Sequence, residues 1–152
     1  MKSNSAFTYL GITDTASLKS RREAPAEEYY KAIIDPAHPG IGTPKFSATR
    51  KLYFGTEKVF SVIGQHSTEI ISFVISRSLK DGTHKIGGQG SDVQGVMTVA
   101  SEVLYAQNGE ITFNREKLND SISATFKFEV VHEGKTYQVS EGKLFLLATG
   151  PL

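Results

Sequence analysis

The sequence predicts a mainly β fold: an antiparallel meander of about eight strands, forming a small barrel or two-layer sandwich, with one short N-terminal helix. From Phe46 onward, apolar and polar residues alternate with a period of two, the pattern of half-buried strands. Glycine stands in Asp81-Gly82, Asn108-Gly109, Glu133-Gly134 and Glu141-Gly142, between the alternating runs, where a tight reversal needs positive φ. Strand–helix–strand alternation is missing, which disfavours a parallel α/β sheet. With 152 residues, 39% of them hydrophobic, the chain has enough apolar mass for one core and reads as a single domain.

Residues 1–44 form an N-terminal arm that differs from the rest, holding four of the five prolines, at 25, 36, 39 and 44. Within it, residues 25–34 read as a short helix. Pro25 suits a first helical position, Glu27 and Glu28 complement the helix dipole, and Asp35-Pro36 ends the run. Tyr29 with Ile33 and Tyr30 with Ile34 would give this helix an apolar stripe that must be buried on the sheet. Residues 35–44 follow as an irregular Pro- and Gly-rich connector.

The β-domain, residues 45–152, opens with an alternation in which Phe46, Ala48, Arg50, Leu52 and Phe54 share one face. Similar runs cover 57–63, 68–77, 93–106, 110–113, 122–131, 136–140 and 143–148, rich in β-branched and aromatic residues. In 124–130, Ala124, Phe126, Phe128 and Val130 lie on a dry face while Thr125, Lys127 and Glu129 lie on a wet one. The last run, Leu144 to Leu147, is apolar on both faces, so its outer face needs cover from the arm.

Composition excludes several function classes. Seventeen Lys and Arg against sixteen Asp and Glu give a net charge of +1, which steers the chain toward neither nucleic acid nor anionic membrane. The absence of cysteine excludes disulfides, thiol nucleophiles, iron–sulfur clusters and thiolate zinc sites. No apolar run has the length of a signal peptide or a membrane span, which leaves a cytoplasmic location as the default.

Gly87-Gly88-Gln89-Gly90-Ser91-Asp92 is the most unusual local feature. It lacks both the Lys-Ser/Thr pair of a phosphate loop and the helix of a dinucleotide fingerprint. It reads as a surface connection, or as a ligand-contacting loop with Ser91 and Asp92 as its polar groups. His38, His66, His84 and His132 show no metal-ligand spacing, so no metal site and no cofactor is expected. No Ser stands in a Gly-x-Ser-x-Gly elbow, and the glutamates fall on wet faces or turns. No catalytic residue is assigned.

Arg50 points with the apolar set if the alternation holds, and an inward guanidinium needs an acid or several carbonyls as partners. That makes Arg50 a candidate ligand anchor, with Tyr53 and Tyr105 as pocket-lining candidates. Arg50, Lys51, Tyr53 and Phe54 approximate a nucleic-acid platform, but alternation splits them between two faces and disfavours that partner.

In the C-terminal third, Asn108 to Phe113, Asp120 to Phe128 and Gly134 to Leu144 combine a Gly turn, an Ile-Ser-x-Thr-Phe-x-Phe strand and a Gly-Lys-Thr turn. This stretch resembles the closing strands of uncharacterised small bacterial β-proteins, many of them lipoprotein-like. The resemblance implies a compact barrel or sandwich and carries over no catalytic residue. The leading expectation is a non-catalytic binding protein for a small molecule, glycan or protein. Its alternatives are a small β-barrel enzyme using pocket acids and histidines, and an inhibitor, immunity or structural subunit.

Overall fold

A computed structural model describes residues 27–38 and 44–152. Among these residues, eleven strands form two antiparallel sheets packed face to face. The six-stranded sheet has the order β2-β1-β11-β10-β9-β6 and the five-stranded sheet the order β3-β4-β5-β7-β8. The strands are β1 (Tyr29–Asp35), β2 (Lys45–Ser47), β3 (Arg50–Gly55), β4 (Val59–His66), β5 (Glu69–Ser76) and β6 (Gly82–Ile86). They continue as β7 (Val93–Val99), β8 (Glu102–Tyr105), β9 (Gln107–Glu116), β10 (Ser121–His132) and β11 (Lys135–Leu147). Of the two expected architectures the sandwich is found. Among the described residues, the sheets touch between β6 and β7 through a lone Gly87–Gln94 bridge, and no continuous ladder closes a barrel.

The expected helix over 25–34 is absent from its described part, and Pro25 lies outside the described residues. Residues 29–35 form β1, which pairs with β11 from Tyr29↔Phe145 to Asp35↔Gln138 and with β2 from Lys31↔Ser47 to Ile33↔Lys45. A spacing of four satisfies a period of two as well as one of 3.6, so Tyr30 and Ile34 are compatible with either structure. Ala32, buried between them, breaks the tie, because Tyr30, Ala32 and Ile34 all face the core. Glu28, read as a first-turn acid, instead accepts a hydrogen bond from the backbone N–H of Leu147 at 2.8 Å. Tyr29 stacks on Phe145 outside the sheet, ring centres 6.2 Å apart, and so covers part of the outer face of the last strand.

Only one of the four Gly-containing reversals is a hairpin. Glu133 and Gly134, with φ of 51° and 77°, join β10 to β11. Asn108-Gly109 and Glu141-Gly142 lie inside β9 and β11 as bulges, each placing an extra residue opposite the stretch Phe126 to Glu129 of β10. The two runs expected at 136–140 and 143–148 are therefore one strand whose inward phase switches at the bulge. Asp81-Gly82 leads from one sheet to the other, into β6, an edge strand not anticipated because Ile86 is its one buried residue. The run over 93–106 is in fact the hairpin β7–β8, turned by Ala100 and Ser101 at φ of 50° and 69°.

Aromatic rings fill the interface between the sheets. Phe73 of the smaller sheet packs edge-on against Phe126 and Phe128 of the larger one, at 4.8 and 5.8 Å between ring centres. Tyr30 lies over Gly64, and its buried hydroxyl donates to the Val62 carbonyl at 3.3 Å. Such tilted contacts suit the ring quadrupole and add to the area buried. No helix among the described residues is long and apolar enough to cross a membrane.

Candidate functional site

The five sequence-derived ligand contacts do not converge. Arg50 does not face the core: the inward phase slips at Ala48-Thr49, where the chain crosses between sheets, leaving Arg50 exposed opposite Gln65 and Tyr53 buried in its place. Tyr53 donates its hydroxyl to the Pro151 carbonyl at 2.5 Å and stacks on Phe60. Burial raises its pKa above the usual tyrosine value, with Arg77 pulling in the opposite direction. Tyr105 is exposed on the edge strand β8. Four strand spacings, about 19 Å at the usual separation, divide it from Tyr53 on β3.

Ser91 and Asp92 are exposed in the connection from β6 to β7. This Gly-rich loop is bound to itself and to β7, through Ser91 N–H to the Gly88 carbonyl at 3.2 Å and Gly87 N–H to the Val93 carbonyl at 2.9 Å. The Asp92 carbonyl accepts from the backbone N–H of Ser76 at 2.9 Å, which fixes the loop at the end of the sandwich where β5 finishes.

At that same end lies a cleft of about 550 Å³ lined by Arg77, Lys80, Asp81, Arg115, Lys117 and Leu152. Arg77 follows β5, Lys80 and Asp81 sit in the crossing to β6, Arg115 is near the end of β9, and Lys117 is in the turn before β10. Among the described residues, four cationic side chains thus face one acidic side chain. The Arg115 guanidinium is centred 5.3 Å from both the Phe60 and Phe113 rings, which meet edge to face with centres 5.8 Å apart, so it has a cation–π contact with each. Its Nε–H donates to Asp81 Oδ1 at 2.8 Å and an Nη2–H to the Leu79 carbonyl at 2.6 Å. Arg77 donates to the carbonyls of Thr56 and Pro151, the latter at 2.7 Å, and stands 6.0 Å from the Phe60 ring.

Both guanidinium groups are therefore oriented before any ligand arrives, and each has more N–H donors than these contacts consume. Chemically, the arrangement can hold a carboxylate or phosphate through charge-assisted hydrogen bonds. Lys80 and Lys117 add flexible charge at the rim. The sequence reading missed this set because its members stand far apart in the chain at strand ends, where alternation carries no phase. A visible signal was that both Arg77 and Arg115 fall where an apolar run meets a turn.

Of the histidines, His84 bonds to the Lys80 carbonyl at 2.6 Å and stacks on Phe113, and His66 is exposed at the end of β4. His38 and His132, far apart in sequence, meet with ring centres 5.0 Å apart at the opposite end of the sandwich. Comparison with protein-family models, with curated proteins and with solved structures finds no match to this chain.

Proposed function

We propose that this protein binds its ligand without transforming it, and that the ligand presents an anionic group, carboxylate or phosphate, to the cleft lined by Arg77, Lys80, Arg115 and Lys117. The supporting observation is the charge imbalance of that cleft in a chain whose overall charge is only +1. The sandwich interior is filled by buried side chains such as Phe60, Phe73 and Phe113, which favours a surface cleft over an internal cavity as the binding place. The test is amide NMR with pyrophosphate and, separately, citrate added at low ionic strength. Saturable shifts confined to residues 76–82, 114–119 and 149–152 are expected. Shifts scattered over the surface, or none, would refute the reading.

A second reading, association with another protein, is favoured by β8, an edge strand that exposes Val103 and Tyr105. Under it, Val103→Lys lowers the association measured by sedimentation while leaving anion binding unchanged.

A further inference from the structure

We propose that His38, Glu102, His132 and Glu133 form a binding site for one divalent ion of the zinc type, at the end of the sandwich opposite the basic cleft. Three segments bring these residues together. His38 follows β1, Glu102 opens β8 after the Ala100-Ser101 turn, and His132 and Glu133 end β10 at its hairpin. Two of these segments belong to the larger sheet and one to the smaller, so a bound ion would tie the sheets together.

The geometry fits the chemistry. His132 Nδ1 lies 3.0 Å from a Glu102 carboxylate oxygen, and its Nε2 lies 3.5 Å from one of Glu133. One ligand atom from each of Glu102, His132 and Glu133 falls within 4.8 Å of the others, and His38, outside that set of three, adjoins it through the His132 ring. Tetrahedral zinc, with bonds of about 2.0–2.1 Å, holds its ligand atoms about 3.3 Å apart, so the ion takes one nitrogen of His132 and the exposed glutamate beside the other nitrogen swings round the ring to join it. Two imidazoles on one such ion place their ring centres about 5 Å apart by the same bond lengths. His38 and His132 stand at 5.0 Å.

The Tyr137 ring packs against His38 with centres 4.8 Å apart and limits its orientations. Two imidazoles and two carboxylates are a donor set that suits zinc and neutralises its charge. Glu102 and Glu133 are exposed, which gives the ion a path in. Without metal, His132 can bridge the two glutamates as an ion pair. That is the competing account, and the two accounts differ in measurable ways.

The experiment uses the untagged full chain, stripped with chelator, and titrates it with zinc chloride by calorimetry and with cobalt(II) by visible absorption. One saturable zinc equivalent and the intense d–d bands of a tetrahedral cobalt centre are expected. Glu102→Gln combined with Glu133→Gln, and separately His132→Asn, should each weaken binding at least tenfold, and His38→Ala should weaken it as well. Melting curves in chelator check that each variant folds. If His132→Asn does not, the glutamate pair, whose members are exposed, decides the matter. Absence of a saturable equivalent, or affinity unchanged in the folded variants, would overturn the proposal.

Discussion

Replacing Gly64 with Ala should destabilise the protein through the packing of Tyr30, the side chain by which β1 is docked across the sandwich. A Cβ at Gly64 would lie 2.6 to 2.9 Å from three Tyr30 ring atoms, whereas ordinary contact begins at 3.4 Å, so the ring must give way by several tenths of an ångström. It has nowhere to go. Tyr30 is 1% exposed, Phe46 and Phe126 flank it at 6.3 and 5.9 Å between ring centres, and its hydroxyl is anchored on Val62. Overpacking of this kind costs about 1–3 kcal/mol, and loss of the hydroxyl bond adds about 1 kcal/mol. Relief of glycine's backbone entropy returns about 0.4–1 kcal/mol.

A net loss of about 2 kcal/mol remains, which for a chain of this size lowers Tm by roughly 4–8 °C. Gly88→Ala is the control, because its Cβ would meet Tyr105 at an unstrained 3.7 Å, so its Tm should hold or rise. Urea unfolding of Gly64→Ala, Tyr30→Leu and the double variant gives the coupling directly, expected at about 1 kcal/mol or more for residues in contact. A Gly64→Ala protein melting within a degree of the parent, or an additive cycle, would refute the reasoning.

Three further outcomes are expected. Ala100→Asn with Ser101→Gly should stabilise the β7–β8 turn by about 1 kcal/mol or more, read as a rise in Tm, because two residues other than glycine now occupy left-handed backbone. Tyr30 and Tyr53 have pKa values raised by burial, so the folded state holds protons that the unfolded state releases above about pH 10. Their contribution is intact below that pH and lost as pH rises past it, and phenolate absorbance should show Tyr53→Phe shortening the late phase of the alkaline titration. Deleting residues 1–44 removes β1 and uncovers the edge of β11, and should lower Tm by many degrees and promote association, measured by light scattering.

The sequence made the β class, the single core and the inward faces of the longer strands legible, because a half-buried strand writes its period directly into its residues. Phe126, Phe128 and Val130 are buried as the alternation implies. It misled where two structures share one local signal. Glu141-Gly142 carries the chemistry of a turn and serves as a bulge, and Tyr30 with Ile34 fits two periods at once. Arg50 was misplaced for a related reason: alternation holds only while the chain stays in one sheet, and the crossing at Ala48-Thr49 resets it. The two candidate sites were illegible because each is assembled from strand ends brought together by packing across the sandwich, and no spacing along the chain encodes that proximity.

The central functional claim is that surplus positive charge in the cleft selects an anionic ligand, and calorimetric titration of pyrophosphate into charge variants tests it most directly. Asp81 is the acidic side chain of that cleft and accepts two hydrogen bonds from Arg115. Asp81→Asn should therefore tighten binding even as it weakens the fold, by about 1.4- to fivefold for an exposed charge interaction of about 0.2–1 kcal/mol. Lys80→Gln with Lys117→Gln should loosen binding, and added salt should shrink both effects. Weaker binding in Asp81→Asn, or affinities indifferent to all three substitutions, would contradict the account.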